Sequence, residues 1–234
     1  MVKSVFFDWF NTLADFEPPR YKLYQQVFQK FGIKLSPEDI NRGVSIADRY
    51  FSEENVKSPV AKRSQQEQME VYLRYPEAML AEAEISVPSD VPLKILQEVE
   101  HQFQKGSSFV LFDDVLSALE TLKRRNMRLG LLTNATRDTI TVCCKLGLDP
   151  YLDFVVTSEE AGAGKPKPAI FLTALDRAEV SATEAVHVGD QYEIDVVGAR
   201  GVGITPVLID RHDIYPEVTD CSRIRSLSEL SQIL

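Results

Sequence analysis

The sequence has little cysteine and no excess of positive charge. Its three cysteines are an odd number, and two of them, Cys143 and Cys144, are adjacent without forming a CxxC metal pattern. This is no disulfide framework, so we expect a reducing, cytoplasmic setting. With 35 acidic against 26 basic side chains, the formal net charge is −9. That balance disfavours binding to nucleic acid or to an anionic membrane, because no overall positive field attracts phosphates.

Long apolar runs are also missing. No segment approaches the roughly 20 apolar residues that span a bilayer, and no basic leader with an apolar signal core precedes the first strand pattern. The content of 44% hydrophobic and 26% charged residues is that of an ordinary soluble globular protein. A small phosphorylated molecule is still a suitable partner, because a few local cations or a metal ion can hold one. The oligomeric state is left open.

Short apolar runs alternate with helical patterns over most of the chain. The runs that predict buried strands cover residues 5–7, 129–132, 154–156, 185–189 and 205–209. Helical periodicity fills the intervals, and the basic run Lys123-Arg124-Arg125 suits the negative end of one helix. The alternation predicts an α/β fold, with a parallel sheet, right-handed crossovers and helices on both faces.

Residues 16–108 interrupt this alternation. Apolar side chains recur there at three- and four-residue steps, and Ser36-Pro37 is a typical helix start. The polar stretch 53–63 contains Pro59 and predicts a loop. We therefore predict two domains: an α/β core of residues 1–15 and 109–234, and an inserted all-helical domain of residues 16–108 that contains no strand.

Polar residues follow the ends of four predicted strands. They are Asp8, Thr133 with Asn134, Lys165 just beyond its strand, and Asp190 with Asp195. Because the carboxyl ends of parallel strands share one edge, these residues are expected to converge. Taken singly, Asp8, Thr133 and Asp190 are ordinary turn or helix caps, Lys165 a solvated lysine and Asp195 a surface residue.

The combined chemistry of these groups is complementary. A carboxylate can attack a phosphorus or carbon electrophile and form a covalent aspartyl intermediate. A hydroxyl and an amide can position a transferring group, and a lysine can offset negative charge. Paired carboxylates can hold Mg²⁺, which prefers oxygen ligands. Four such groups in order favour a catalytic site.

These motifs resemble those of the haloacid dehalogenase superfamily, and the resemblance covers essentially the whole chain. The first motif corresponds to Phe7-Asp8-Trp9-Phe10-Asn11-Thr12-Leu13, with Asp8 at the position of the nucleophile. The second corresponds to Leu132-Thr133-Asn134, the third to Gly164-Lys165-Pro166, and the fourth to Gly189-Asp190 through Asp195. The resemblance implies a Rossmann-like core, hydrolysis through an aspartyl intermediate, and a mobile cap, whose place residues 16–108 occupy.

Phe10 departs from the family's phosphatase pattern. Phosphatases that resemble this chain carry a second Asp there, as general acid/base, and proton transfer by a positioned side chain is worth about 10²–10⁴-fold in rate. Haloacid dehalogenases resemble this chain in having an aromatic residue at that place, since a leaving halide needs no proton.

The fourth motif, in contrast, resembles that of the phosphatases. Asp190 and Asp195 resemble the metal-binding pattern of the phosphatase branch, in which the residue at Phe10 contributes only its backbone carbonyl. The resemblance therefore implies a Mg²⁺ site made by Asp8, Phe10 and Asp190, with Asp195 as a further ligand or as a residue behind the ligands.

Our leading hypothesis is a Mg²⁺-dependent phosphatase that acts on a small phosphorylated metabolite. Asp8 would attack, Thr133 would orient the phosphoryl group, and Lys165 would stabilise charge. Asn134 and Thr12 would bind the substrate.

Three alternatives stay open. The first is a 2-haloacid dehalogenase, with Arg42 or Arg49 binding the carboxylate. The second is a metabolite-binding protein that lost turnover with the acid/base. The third is a phosphonoacetaldehyde hydrolase, which shares the Asp-Trp pair but needs a Schiff-base lysine. The candidates for that lysine are Lys22, Lys30, Lys34, Lys57 and Lys62.

Overall fold

The chain folds into two compact units. The structure, a computed structural model, describes residues 1–60, 63–104, 108–134 and 138–234. We call Met1–Asp15 with Phe109–Leu234 the sheet unit, and Phe16–Ser108 the helical unit. Within the described ranges, no helix has the length and apolar character needed to cross a membrane.

Eight strands are found in the described residues. Their bounds are β1 Ser4–Phe7, β2 Ala14–Glu17, β3 Ser108–Leu111, β4 Arg128–Thr133, β5 Phe154–Thr157, β6 Ala185–Gly189, β7 Thr205–Ile209 and β8 Ser222–Ile224. Six of them form one sheet in the order β5-β4-β1-β6-β7-β8, while β2 and β3 form a separate pair. All five neighbouring pairs in the large sheet are parallel. The predicted parallel α/β fold is therefore confirmed.

Nine α-helices lie in the described ranges. They are α1 Arg20–Lys30, α2 Pro37–Lys57, α3 Gln65–Glu82, α4 Val91–Gln104, α5 Val115–Arg124, α6 Asp138–Lys145, α7 Pro168–Ala178, α8 Val197–Gly201 and α9 Leu230–Ile233. The first four belong to the helical unit and the other five to the sheet unit.

Strand β1 lies at the centre of the sheet and is covered on both faces. Val5 and Phe7 pack into one apolar cluster, and Phe6 packs into another with Leu132 and Phe171. Each of these three β1 side chains is 0% exposed, and burial of a side chain of this size stabilises a fold by about 1.5–3 kcal/mol. The backbone that leads to Asp8 is therefore fixed from both sides.

The helical unit has an apolar core of its own. Tyr24, Phe28, Ile40 and Ile95 are among its buried members. Helices α2 and α3 approach closely at Gly43, where an added Cβ would lie 2.5 Å from the Met79 Cα. The predicted N-cap is confirmed, because the Ser36 side chain accepts a hydrogen bond from the Asp39 N–H at 3.1 Å.

Two sequence predictions for this region are wrong. Helix α2 continues to Lys57, into the predicted loop 53–63, because Glu54 pairs with Lys57 at 2.7 Å on the same helix and such pairs support a polar helical turn. Strands β2 and β3 place strand residues at both ends of the segment 16–108. They are four residues each and pair with one another across the whole insertion, so local periodicity does not reveal them.

Candidate active site

Asp8 follows β1 at the carboxyl edge of the sheet. Its backbone N–H donates to the Val188 carbonyl at 2.8 Å, and the N–H groups of Leu13 and Ala14 both donate to the Trp9 carbonyl, at 2.9 and 3.1 Å. These bonds close a tight loop, in which Asn11 has a φ of 60°, a conformation that Asn tolerates better than most residues. The loop therefore fixes the backbone of the residues that follow Asp8 at the carboxyl end of β1.

Lys165 lies between two of the predicted carboxylates. Its ammonium Nζ donates to Asp8 Oδ1 and, at 2.7 Å, to Asp195 Oδ1. The Lys165 side chain is 1% exposed, so its charge is screened little by solvent. The structure therefore brings Asp8, Lys165 and Asp195 together, as the sheet-edge argument predicts.

Burial and charge shift the pKa of all three groups. Burial raises the pKa of Asp8 to about 6, assisted by the Asp195 charge and opposed by Lys165. Burial alone would also raise the pKa of Asp195, but Lys165 and His187 hold it well below its usual range. Burial would lower the pKa of Lys165, but Asp195 and Asp8 raise it. At neutral pH the cluster thus holds one ammonium and two carboxylates.

Asp195 is placed by a short π-helix, Tyr192–Val196. Single π-turns are frequent at functional sites. The Asp195 carboxylate passes so close to Gly189 that a Cβ there would lie 2.1 Å from its Cγ. The fourth motif therefore needs glycine at this position for steric reasons.

Asp190 completes a cluster of three carboxylates. One oxygen each from Asp8, Asp190 and Asp195 lie within 4.8 Å of one another, and the Asn11 amide donates to Asp190 Oδ2 at 3.1 Å. An all-oxygen set of this size suits Mg²⁺. Asp195 already accepts hydrogen bonds from Lys165, His187 and the Gln191 N–H. The donor set therefore fits a divalent ion held chiefly by Asp8 and Asp190.

Asn134 makes contacts that the sequence does not predict. Its amide donates to the Lys165 carbonyl at 2.9 Å and its oxygen accepts from the Lys165 N–H at 2.7 Å. Gly164 is needed beside it, because a Cβ there would lie 2.4 Å from the Asn134 Oδ1. The side chain thus fixes the backbone of Lys165, and a direct contact with substrate stays a prediction.

The structure also gives the positions of the other three predicted site residues, Thr133, Thr12 and Phe10. Thr133 is the last residue of β4 and is 2% exposed. Thr12 is buried, with its hydroxyl 3.5 Å from Asp8 Oδ2, on the side of the carboxylate away from Lys165. The Phe10 ring packs edge-on against Phe109, with centroids 6.4 Å apart. Phe10 therefore contributes its side chain to apolar packing, as expected if only its backbone serves the site.

Arg211 is a residue of this region that the sequence reasoning missed. Its guanidinium donates to the carbonyls of Asn11 and Thr12 at 3.2 and 2.8 Å, and to both oxygens of Asp114 at 2.9 and 3.0 Å. It also stacks over the Phe112 ring at 3.9 Å. Arg211 thus ties the loop after Asp8 to the start of α5. No local motif marks it, since its partners are about 100 and 200 positions away in sequence.

Replacing Arg211 with methionine is expected to lower the free energy of unfolding by about 1–3 kcal/mol. The change removes a charged donor from the Asn11 and Thr12 carbonyls and from the Asp114 carboxylate, which keeps the Ser226 hydroxyl and the Leu227 N–H as donors. Chemical denaturation measures this. Arg124→Met is the control, because Arg124 pairs with Glu120 on the surface and its side chain is 75% exposed. Such a pair contributes little, so equal losses in both variants would contradict the role given to Arg211.

The residues of the alternative hypotheses lie in the helical unit. Arg42 pairs with Asp39 and Glu82, and Arg49 pairs with Glu53. Of the Schiff-base candidates, Lys62 lies outside the described residues, and Lys22, Lys30, Lys34 and Lys57 are exposed. A Schiff-base lysine is activated by burial in an apolar pocket or by a neighbouring cation. These exposed lysines lack the apolar pocket, so the described ones offer no support for a phosphonoacetaldehyde hydrolase.

Comparison with known proteins agrees with this geometry. A family model described as haloacid dehalogenase-like hydrolase matches residues 2–203. The fold and the site define a hydrolase. The chain belongs to the haloacid dehalogenase-like hydrolases, which confirms the resemblance found in its four motifs.

Two curated relatives and one solved structure illustrate the range of the family. Haloacid dehalogenase-like hydrolase domain-containing protein 3 of Danio rerio is 28% identical over 213 residues, 91% of this chain and 86% of the relative. A ribulose-1,5-bisphosphate 5-phosphatase of Halopiger xanaduensis is 41% identical over 102 residues, 43% of this chain and 42% of that protein. The 2-haloacid dehalogenase of Pseudomonas syringae pv. Tomato is 28% identical, with a TM-score of 0.56 and coverage of 100% and 98%. Similar proteins thus include both a phosphatase and a dehalogenase.

Proposed function

We propose that this protein is a Mg²⁺-dependent phosphatase that hydrolyses a small phosphorylated metabolite through an aspartyl-phosphate on Asp8. The observation that carries the proposal is the cluster of Asp8, Asp190 and Asp195 oxygens within 4.8 Å. Three carboxylates at this spacing suit a bound cation. A cation offsets the charge of a dianionic phosphate ester during phosphoryl transfer, whereas displacement of a halide from carbon involves no phosphoryl group.

The residues of the sheet unit support the following reaction steps. An Asp8 oxygen attacks phosphorus and forms a P–O bond, while the bond to the ester oxygen breaks and an alcohol leaves with a proton from water. Water then attacks phosphorus, which releases inorganic phosphate and restores the Asp8 carboxylate. Lys165 offsets negative charge on Asp8 and on the phosphoryl oxygens, and the hydroxyls of Thr12 and Thr133 orient them.

The metal would be held by Asp8, Asp190 and the Phe10 carbonyl. When bound, Mg²⁺ supplies positive charge that offsets the phosphoryl group during transfer. Asp195, whose two oxygens accept protein N–H groups, would act mainly by placing Lys165.

Metal affinity is expected to depend on pH through Asp8. A divalent ion binds the ionised carboxylate, and the pKa of Asp8 is raised to about 6. The apparent Kd for Mg²⁺ should therefore be constant above about pH 7 and rise by about tenfold per pH unit below about pH 6. Trp9 is the chain's single tryptophan and adjoins Asp8, so its fluorescence offers the readout.

Matched variants define this measurement. Asp8→Asn should weaken Mg²⁺ binding and remove its dependence on pH, and Asp190→Asn should weaken binding while retaining that dependence. A Kd that stays the same from pH 5 to pH 8, or that neither variant changes, would argue against the assigned ligands.

A 2-haloacid dehalogenase is the second candidate, and the identity of residue 10 favours it. Phe10 has no proton to donate to a leaving group, and a leaving halide needs none. In this reaction an Asp8 oxygen would attack carbon, halide would leave, and water would hydrolyse the resulting ester. Against it, Arg42 and Arg49 are each paired with acidic residues in the helical unit.

Two assays on the purified protein separate the candidates. We expect turnover of p-nitrophenyl phosphate in Mg²⁺, with loss of turnover in EDTA, and no chloride release from 2-chloropropionate. Chloride release in EDTA together with inactivity toward the phosphate ester would replace the phosphatase by the dehalogenase. If both assays fail while a metabolite raises the melting temperature, the protein is a binding protein.

We further propose a reducing, cytoplasmic setting and the helical unit as the family's cap domain. The first is supported by Cys143, Cys144 and Cys221, which are all free thiols. The second is supported by the position of residues 16–108 in the chain, between the first and second motifs.

A further inference from the structure

A histidine is buried where a parallel strand ordinarily carries an apolar residue. His187 is the middle residue of β6, between the buried Val186 and Val188, and is 0% exposed. Its ring meets Phe171 edge-on, with centroids 5.2 Å apart and planes at 87°. A polar ring that is buried at such a position without a hydrogen bond destabilises a fold. The hydrogen bond that His187 makes therefore needs an explanation.

That contact is with Asp195. The His187 Nε2 lies 2.9 Å from the Asp195 Oδ1. An ionised carboxylate only accepts hydrogen bonds, so the neutral imidazole must carry its proton on Nε2 and donate it. Burial lowers the pKa of His187 against the pull of Asp195, which keeps the ring neutral.

The same Asp195 oxygen also accepts from Lys165. The Lys165 Nζ lies 2.7 Å from Oδ1, and the Gln191 N–H donates to Oδ2 at 3.1 Å. Lys165 in turn contacts Asp8. A continuous chain of hydrogen bonds therefore runs from His187 through Asp195 and Lys165 to the proposed nucleophile, all within the sheet unit.

We propose that His187 is a positioning residue for the reaction at Asp8. Its Nε2–H fixes the rotation of the Asp195 carboxylate, and that carboxylate places the Lys165 ammonium against Asp8. Lysine has four rotatable side-chain bonds, so its ammonium is located by the carboxylates that hold it. The inference rests on the proposed function, in that Asp8 is taken as the nucleophile, but His187 itself touches no reacting atom.

Three variants test the role in turnover of p-nitrophenyl phosphate. His187→Phe keeps a ring beside Phe171 and removes the donor, and His187→Gln returns an N–H donor. We expect His187→Phe to lower kcat about 10–100-fold with KM within about twofold, as for other residues that orient a site through a neighbour. His187→Gln should recover kcat to within about threefold. Val186→Ala is the control, since it weakens the same strand through lost packing and should lower Tm without lowering kcat.

A double variant tests whether His187 acts through Asp195. In an Asp195→Asn background, His187→Phe should lower kcat no further, because contacting residues in one network are not additive. Additive losses would overturn the proposal, as would a His187→Gln variant that folds but is as slow as His187→Phe. Equal losses of kcat in Val186→Ala would also overturn it, since they would trace the effect to strand stability.

A second readout needs no substrate. The ¹⁵N resonance of the Lys165 ammonium, assigned with Lys165→Arg, should be sharp in the unmodified protein and in Val186→Ala, shifted or lost in His187→Phe, and restored in His187→Gln. An unchanged resonance in His187→Phe would overturn the proposal. If the unmodified protein hydrolyses no phosphate ester, the proposed function fails, and this resonance still decides the role of His187. Should His187→Phe not fold, His187→Leu serves the same comparison.

Discussion

Asp8→Asn is expected to abolish turnover, with a loss on the order of 10⁴-fold or more in kcat. The amide has the shape of the carboxylate but lacks its charge and its nucleophilic oxygen. Steady-state kinetics with a phosphate ester in Mg²⁺ measures the loss. Asp149→Asn, a change at an exposed residue of the sheet unit, should leave kcat unaltered. Undiminished turnover in Asp8→Asn would show that Asp8 is not the nucleophile.

The same variant separates catalysis from stability. The pKa of Asp8 is raised on folding, so the protonated form favours the fold, and this contribution is present below about pH 3.8 and lost as pH rises through about 6. At neutral pH the ionised carboxylate therefore no longer makes this contribution. Because Lys165 keeps Asp195 as a partner, Asp8→Asn should fold with a Tm close to that of the unmodified protein. A Tm far below that of the unmodified protein would show instead that Asp8→Asn is inactive because it is unfolded.

Phe10→Asp is expected to raise kcat for phosphate esters by about 10²–10⁴-fold. A carboxylic acid two residues after the nucleophile can protonate the leaving alcohol and then activate water. The expected gain is the rate factor that is typical of general acid–base catalysis. The change also removes the contact of the Phe10 ring with Phe109, so a loss of about 1–2 kcal/mol in the free energy of unfolding is expected.

Phe10→Asn is the matched control for this gain. It loses the same packing and has nearly the same shape, but it transfers no proton. For a phosphatase, we expect the kcat of Phe10→Asp to exceed that of both Phe10→Asn and the unmodified protein. Equal rates in the two variants would show that the absence of an acid at this position does not limit the reaction.

The sequence predicts the sheet well because each strand is signalled locally. The runs 5–7, 129–132, 154–156, 185–189 and 205–209 are apolar, are bounded by turn residues and end at polar groups. Strand β8 is three residues, two of them polar, and β2 and β3 depend on a partner distant in sequence. Such pairings leave no periodic signal, so these three strands are found only in the structure.

Some residues of the candidate site can be predicted from the sequence, and others are found only in the structure. Asp8, Lys165, Asp190 and Asp195 are recognisable because each follows a strand, and parallel topology alone brings strand ends together. The engagement of the Asn134 side chain with the Lys165 backbone is a property of the folded loop. His187 and Arg211 are missed for the same reason, because each acts through a contact that no local pattern encodes. A lone histidine within an apolar strand was the one available signal.

Trapping of the covalent intermediate decides whether Asp8 is the nucleophile of a phosphatase. The protein is quenched in acid during turnover of a phosphate ester in Mg²⁺, and the peptide that contains Asp8 is analysed by mass spectrometry. Because Phe10 supplies no acid/base to speed hydrolysis, the aspartyl-phosphate should accumulate, and we expect one phosphoryl group on Asp8 that is absent from Asp8→Asn. Turnover without a phosphoryl group on Asp8, or an ester on Asp8 formed from 2-chloropropionate instead, would exclude this mechanism.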